Sequence, residues 1–270
     1  MSHFTVGVIH RDDQSIDTLL APYDENIEVE PYIYKTKDEL IAEGYKKADH
    51  YRYIIKHGDN NDDDIVNCWG DDFLNAFSDE EMYLASCKYH GLGDDDLDED
   101  GNWISTYNPK SKWDWYSIGG RWSGELKIPR EKVAKEYLEY IADDERYLYT
   151  DEARIGDIDF GIDEDRYKEL YDWWMERIVN TPDEEWDGIW KKSYYTDNYK
   201  NAEDYAKRNS EFSTFAVVTP DGEWHERGQM GWFACSNETP EEGREWDENY
   251  INFINEANPD YLFTMVDCHI

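Results

Sequence analysis

The chain is poor in basic residues. Its 270 residues include 27 Lys and Arg against 64 Asp and Glu, which gives a formal net charge of −37. Direct binding of nucleic acid needs a cationic surface that displaces counterions, so this composition argues against it. Dense carboxylates instead favour contact with proteins whose own surface is basic, including proteins that bind DNA or RNA. The charge balance therefore favours a protein partner, and the alternative that the excess of acid serves only solubility or adaptation to salt stays open.

Cysteines and long apolar runs are also scarce. Cys68, Cys87, Cys235 and Cys268 are far apart and lack CxxC spacing, which predicts free thiols and neither a disulfide framework nor a zinc site. No run approaches the ~20 apolar residues of a membrane span, and no basic-then-apolar signal opens the chain. We therefore expect a cytoplasmic protein without membrane contact.

Aromatic residues, in contrast, are abundant. Apolar residues make up only 39% of the chain, which together with the net charge is typical of disorder. However, the chain has 12 Trp, 22 Tyr and 9 Phe, and each buried ring removes roughly 150–250 Å² from water. The sequence therefore predicts a folded protein with an aromatic core and a carboxylated surface.

The negative charge is unevenly distributed. Residues 58–100 carry −14, whereas residues 101–130, which follow directly, carry +3. Asp96 to Asn102 also matches the first half of an EF-hand loop, but Tyr107 stands where the bidentate Glu is needed, which indicates an acidic turn. We interpret the acidic segment as a partner-binding surface formed by Asp62, Asp63, Asp64, Asp94, Asp95, Asp96, Asp98 and Asp100.

Local periodicity predicts an α+β fold. Apolar runs at 4–9, 212–219 and 261–268 are typical of strands, and a further strand is expected at 229–234. Thr239-Pro240-Glu241-Glu242 has the chemistry of a capping box and predicts a helix start. The predicted order of the C-terminal elements is strand, strand, helix, strand, and the N-terminal strand can join them. This order indicates a ferredoxin-like or related antiparallel sheet core.

The same patterns suggest how the chain is organised. Residues 1–130 and 211–270 are expected to form the α+β core, with an acidic loop-rich segment at 58–102. Residues 131–210 have apolar positions at helical spacing, which predicts a mostly helical insertion or subdomain.

Residues 113–124, WDWYSIGGRWSG, concentrate Trp, Gly and Arg. Paired glycines let a backbone turn tightly and approach a ligand or another backbone. A guanidinium can bind phosphate or carboxylate, and indole rings can stack on a base. The spacing matches neither a Rossmann motif nor a P-loop, so a structural turn with core tryptophans stays open. The candidate ligand-binding residues are Lys110, Lys112, Trp113, Trp115, Gly119, Gly120, Arg121 and Trp122.

The chain termini hold a second candidate site. His3 opens the first predicted strand, and Asp267 and His269 close the last one. If the two strands are antiparallel neighbours, these residues converge and are suited to bind a transition metal or to act in acid–base chemistry. Polar residues at neighbouring strand ends are also common without any function. No GxSxG or HExxH motif is present and no cofactor is expected, so a binding protein is favoured over an enzyme.

Three segments carry a resemblance to a known family. SHFTV at 2–6, YNPKSKWDWYSIGGRWSG at 107–124 and VDCHI at 266–270 resemble a family of uncharacterised bacteriophage and prophage proteins, whereas 131–210 shows no such likeness. The family has no assigned activity, so no catalytic residues follow from it. The resemblance implies a viral accessory protein in a host bacterial cytoplasm, where such proteins often disarm host defences.

These observations lead to three functional hypotheses. The first is a binding protein that inhibits a host factor, such as a nucleic-acid-directed antiphage defence system, through its acidic surface. The second is sequestration of a nucleotide signalling molecule at the Trp/Gly/Arg segment. The third is a metal-dependent enzyme that uses His3, Asp267 and His269. A homo-oligomer is compatible with each of them.

Overall fold

The computed structural model describes residues 2–57, 70–142, 145–230 and 235–270. The strands are β1 (His3–His10), β2 (Tyr32–Lys35), β3 (Trp103–Ser105), β4 (Trp115–Ile118), β5 (Leu126–Pro129), β6 (Tyr147–Thr150), β7 (Glu152–Arg154), β8 (Ala216–Val218), β9 (Trp224–Glu226) and β10 (Leu262–His269). The α-helices are α1 (Ile16–Leu20), α2 (Lys37–His57), α3 (Asp71–Leu74), α4 (Asp79–His90), α5 (Glu164–Trp174), α6 (Lys192–Asn198), α7 (Ala202–Arg208) and α8 (Pro240–Glu256).

Short helical turns complete the secondary structure. A π-helical turn, Met175–Val179, continues α5. The 3₁₀ helices are Ala21–Tyr23, Asp94–Asp96, Gly120–Trp122, Arg130–Lys132, Lys135–Tyr140, Ile155–Asp157 and Asp183–Glu185. Within the described ranges, no helix is long and apolar enough to cross a membrane.

The chain forms two compact units, which differ from the expected division. The sheet unit comprises Met1–Glu25 and Lys110–Ile270, and the helical unit comprises Asn26–Pro109. Residues 131–210 were expected to be a helical insertion, but they lie inside the sheet unit and contain β6 and β7 as well as helices. The physical reason is strand pairing, because β7 adds to the main sheet beside β10.

The sheet unit is built on one mostly antiparallel sheet, which confirms the α+β class. Its strand order is β4-β10-β1-β8-β9, and β7 also pairs with β10. Only β1 and β8 run parallel among these pairs. The β1–β10 ladder extends over eight residue pairs, from His3 opposite His269 to His10 opposite Leu262. The two termini of the chain therefore meet at one end of the central ladder.

Alternating side chains bury both faces of the β1–β10 ladder. On one face, Ile9, Met265 and Phe263 pack in a cluster with Trp246 and Tyr250 of α8. Phe263 lies directly over Gly7, where an added Cβ would come within 2.3 Å of the ring. The opposite face packs against the α1 region and includes Phe4, Val6, Val8, Leu20, Trp113, Val266 and Cys268. Each fully buried side chain of this kind contributes roughly 1.5–3 kcal/mol, so the ladder is the rigid base of this unit.

The helical unit pairs α2 with α4 around an aromatic core. Tyr51, Phe73 and Met82 are buried there together with Ala48 and Ala85. A capping box opens α4, since the Ser78 side chain accepts the Glu81 backbone N–H, and the Glu81 carboxylate accepts the Ser78 backbone N–H. The strands β2 and β3 form a small antiparallel pair in the same unit.

The return strand after β8 begins earlier than expected. The turn at Pro220-Asp221-Gly222 was anticipated, but β9 occupies Trp224–Glu226 and the strand expected at 229–234 is not its partner. Thr219 donates its backbone N–H to the Glu223 carbonyl at 3.0 Å, and Gly222 takes a φ of +84°. This tight turn lets pairing resume at once. Residues 231–234 of the expected strand lie outside the described residues.

Candidate functional site

Strand register brings the predicted terminal residues together. His3 pairs with His269 and Thr5 with Asp267, while Trp115 of β4 pairs with His269 on the other side of β10. Because side chains alternate along a strand, His3, Asp267, His269 and Trp115 project from the same face of the sheet. The convergence expected at the termini is confirmed.

Asp267 is the buried centre of this group. It is only 2% exposed, and its Oδ1 accepts a hydrogen bond from His3 Nδ1 at 2.8 Å. Its Oδ2 accepts the backbone N–H of Arg121 at 3.0 Å. Gly120 makes this approach possible, since its φ is +54° and a Cβ there would lie 2.4 Å from Asp267 Cβ. The paired glycines thus serve a close backbone approach to a carboxylate.

His269 has a carboxylate partner of its own. Its Nδ1 lies 2.6 Å from Asp114 Oδ1, and the residue is 5% exposed. Its Nε2 is buried and has no hydrogen-bond partner among the described residues. The Trp115 ring stacks on the imidazole at 5.1 Å, and the His3 ring meets it edge-on at 5.0 Å. We call His3, Asp114, Trp115, Asp267 and His269 the His–Asp cluster.

The prediction that His3, Asp267 and His269 bind a metal gains no support from the described geometry. No group of three or more His, Cys, Asp or Glu side chains in the described part of the chain is arranged to hold a metal ion. The reason is local: His3 Nδ1 bonds to Asp267, and His269 Nδ1 bonds to Asp114. Only the two Nε2 atoms are left, and a protein metal site normally supplies at least three ligands.

The residues predicted to bind a ligand are divided by the fold. Trp115, Gly120 and Arg121 lie at the His–Asp cluster, whereas Gly119 lies against the Asp151 carboxylate. The others do not join them, and Trp113 lies before β4 begins, where it forms an isolated bridge with Asp24. Trp113 is buried in the core of the far face, Lys112 forms an ion pair with Glu226 at 2.6 Å, Trp122 packs against the α8 cluster, and Lys110 is exposed.

Two exposed groups belong to residues of this region. The Trp115 side chain is 45% exposed although one face stacks on His269. The Arg121 residue is exposed, and its guanidinium has no ion pair or hydrogen bond with any described residue. The exposed Trp115 ring therefore lies against His269, and Arg121, whose guanidinium has no ion pair among the described residues, contacts Asp267 through its backbone.

Asp114 is the member of the cluster that sequence reasoning missed. It lies between Trp113 and Trp115, and its backbone N–H also bonds to the His269 carbonyl at 2.9 Å. Nothing in the local sequence distinguishes it from the many other carboxylates. Its role follows only from the pairing of β4 with β10.

Some carboxylates of the acidic segment accept hydrogen bonds from neighbouring residues of the same loop. Asp96 accepts the Gly93 backbone N–H, and Asp98 accepts the side chain and backbone N–H of Asn102, which lowers the Asp98 pKa. These two residues of the expected partner surface therefore hold the loop. Asp94, Asp95 and Asp100 are exposed and have no ion pair within the described ranges, while Asp62, Asp63 and Asp64 lie outside them.

A second acidic surface lies on α5. Asp165, Glu169 and Asp172 are spaced i, i+4 and i+7, and Glu176 follows one turn later, so they form a stripe along one side of the helix. All four are exposed and none has an ion pair with a described residue, although Lys168 borders the stripe. We call these four residues the α5 stripe.

Comparison with known proteins gives no relative. No protein-family model, no curated protein and no solved structure matches this chain.

Proposed function

We propose that this protein inhibits a host factor by binding a basic protein surface, acting as a phage counter-defence protein in the bacterial cytoplasm. The α5 stripe is the observation that supports this, because it displays a row of unpaired carboxylates on an ordered helix. The target class is a protein that binds nucleic acid, such as a nuclease of a defence system, since its surface accepts rows of negative charge.

The charge distribution supports the same proposal. The sheet unit contains 43 acidic and 20 basic residues, a net −23, and the helical unit contains 21 and 7, a net −14. Carboxylates one helical turn apart repel one another in the free protein, and a cationic partner relieves that repulsion. The same field accelerates encounter with a basic surface at low ionic strength.

The test is capture of a partner from bacterial lysate followed by affinity measurement with the purified partner. The stripe variant D165N/E169Q/D172N/E176Q is compared with D94N/D95N/E99Q/D100N, which removes the same charge from the helical unit. We expect the stripe variant alone to lose affinity, and the wild-type complex to weaken steeply between 0.05 and 0.5 M salt, roughly as the screening length falls.

The captured protein must also lose its nucleic-acid binding when the complex forms. No stoichiometric partner, or equal affinity of the wild type and the stripe variant, would overturn the α5 stripe as the binding surface.

A second candidate function is favoured by a different observation. The exposed Trp115 ring and the Arg121 guanidinium, which has no ion pair with a described residue, are suited to a small nucleotide, whose base stacks on indole and whose phosphate binds guanidinium. Thermal-shift and calorimetric measurements with a nucleotide panel test it. A ligand at 100 times its dissociation constant stabilises the protein by about 2.7 kcal/mol. We expect W115A and R121A to abolish the shift and the exposed-surface control R52A to retain it.

A further inference from the structure

The two imidazoles of the His–Asp cluster are held in the same way. Nδ1 of His3 faces Asp267, and Nδ1 of His269 faces Asp114. A carboxylate only accepts hydrogen bonds, so these contacts assign the proton to Nδ1 in both rings. Each Nε2 is then a bare acceptor when the ring is neutral and a donor when the ring is protonated.

The Nε2 of His269 has no partner although it is buried. Polar atoms inside proteins are nearly always hydrogen-bonded, so an unpaired nitrogen in a packed sheet needs an explanation. The Trp115 ring stacks on this imidazole and the His3 ring meets it edge-on. Trp115 is the member of this ring stack that meets solvent most, since its side chain is 45% exposed. We therefore infer that His269 Nε2 forms its hydrogen bond with a group from outside the chain.

The carboxylates equip both rings for proton transfer. A buried carboxylate behind an imidazole fixes its tautomer and stabilises the imidazolium that forms when Nε2 takes a proton. Asp267 is itself held by the Arg121 backbone N–H, so His3 is aimed by a fixed group. With ring centroids 5.0 Å apart, one imidazole is placed to accept a proton while the other donates one to the same substrate.

We propose that the His–Asp cluster is an acid–base centre that hydrolyses the phosphodiester bond of a small nucleotide. This rests on the nucleotide site proposed above. Neutral His3 takes a proton from water, whose oxygen bonds to phosphorus. The ester P–O bond breaks, and its oxygen takes a proton from the His269 imidazolium. The products are a phosphomonoester and an alcohol, and the two imidazoles exchange protons with solvent to start again.

The surrounding groups favour this substrate class. The Arg121 guanidinium is an uncompensated cation suited to charge on a phosphoryl group, and Trp115 offers a ring to a base. A net charge of −37 opposes long polyanions, which restricts the substrate to small nucleotides. Cys268 does not supply a thiolate, since it lies on the opposite face and burial raises the pKa of its thiol.

The experiment measures turnover and binding separately. Purified full-length protein is incubated with bis(p-nitrophenyl) phosphate and with linear and cyclic dinucleotides, and products are quantified by absorbance and chromatography. We expect H3Q and H269Q to lower turnover about 10²–10⁴-fold, the range for loss of a general acid or base. H10Q is the matched control, because His10 is a buried histidine of the same strand, and it should keep wild-type turnover.

Asp114 and Asp267 are positioning residues, and the pH profile tests their role. A bell-shaped dependence of rate on pH is expected, because one ring must be neutral while the other is protonated. In D114N, one side of the bell-shaped rate profile should shift along the pH axis while circular dichroism shows an intact fold. A purely structural role of Asp114 would not produce that shift. D114N also serves if H269Q does not fold.

The outcomes separate this inference from the binding proposal. Calorimetric binding without turnover overturns the acid–base assignment and leaves the nucleotide site standing. Neither binding nor turnover across the panel overturns both. Turnover that survives in H3Q and H269Q would show that another residue or a contaminant performs the reaction.

Discussion

The two ends of the β1–β10 ladder carry similar residues with different hydrogen bonding. At one end, His3 and His269 bind carboxylates through Nδ1, and the His269 Nε2 stays unpaired. At the other end, His10 Nε2 bonds to the Thr264 hydroxyl oxygen at 2.9 Å, and that hydroxyl donates to Glu152 at 2.7 Å. The remaining nitrogen of His10, Nδ1, contacts the Arg11 carbonyl at 3.2 Å.

This comparison separates a structural histidine from a candidate functional one. Both ends combine a buried histidine with a carboxylate, so burial and pairing alone do not identify a site. His10 completes its hydrogen bonds inside the chain, which is the expected state of a buried polar group. His269 does not do so among the described residues, and an exposed indole, Trp115, stacks on its ring. The unpaired atom is the distinguishing feature.

The largest expected effect is a loss of turnover when Asp267, at the His–Asp end of the ladder, is changed. Asp267→Asn replaces one acceptor oxygen with an amide that cannot accept the N–H groups of both His3 and Arg121. We expect turnover to fall about 10²-fold or more, because His3 loses its fixed tautomer. The measurement is the rate with the best nucleotide substrate, and an unchanged rate would remove Asp267 from the mechanism.

The next effect concerns the backbone that supports the cluster. Gly120→Ala combines a positive φ with a Cβ 2.4 Å from Asp267 Cβ, and we expect a loss of about 3 kcal/mol in the free energy of unfolding. The control is Gly222→Ala, which has a φ of +84° but no contact closer than 3.9 Å, and should cost only about 1–2 kcal/mol. Urea denaturation measures both, and equal losses would show that the close approach is unimportant.

A smaller effect is expected at the opposite end of the ladder. Thr264→Val removes the hydroxyl that bridges His10 and Glu152, and we expect a loss of about 1–2 kcal/mol, since His10 Nε2 is left without its bond. Turnover should stay within about two-fold of the wild type, because no member of the His–Asp cluster is touched. A large drop in turnover at unchanged stability would mean that the two ends are coupled.

The smallest expected effect is the pH dependence of stability in the range where turnover is measured. The Arg166 backbone N–H and the Lys127 ammonium hold the pKa of Asp163 below its ordinary 3.8, so its stabilisation is present above that pH and lost as pH falls further. Burial raises the pKa of Tyr205 from 10.0 to about 12, so its contribution is complete below pH 10 and lost as pH rises towards 12.

These two groups therefore do not change the free energy of unfolding between about pH 5 and pH 9. A bell-shaped rate profile inside that window then reports the cluster. Melting temperatures measured over the same pH series provide the check, and a melting curve that follows the rate profile would attribute the bell to unfolding.

The sequence by itself determined features whose physical cause lies within a few residues. Apolar runs predicted β1, β8 and β10, and the Thr239–Glu242 box marked the start of α8, as the structure shows. The sequence also predicted that His3, Asp267 and His269 converge if the terminal strands are antiparallel neighbours, and they are. The excess of carboxylates followed from composition alone.

Only the tertiary structure decided what the converged residues can do. Asp114 reaches His269, 155 positions away in the sequence, because β4 pairs with β10, and no local pattern specifies that register. The β1–β10 pairing likewise brings His3 Nδ1 to Asp267, and the positive φ of Gly120 lets the backbone approach that carboxylate. Such choices depend on long-range strand pairing, which balances packing and hydrogen bonds over the whole sheet.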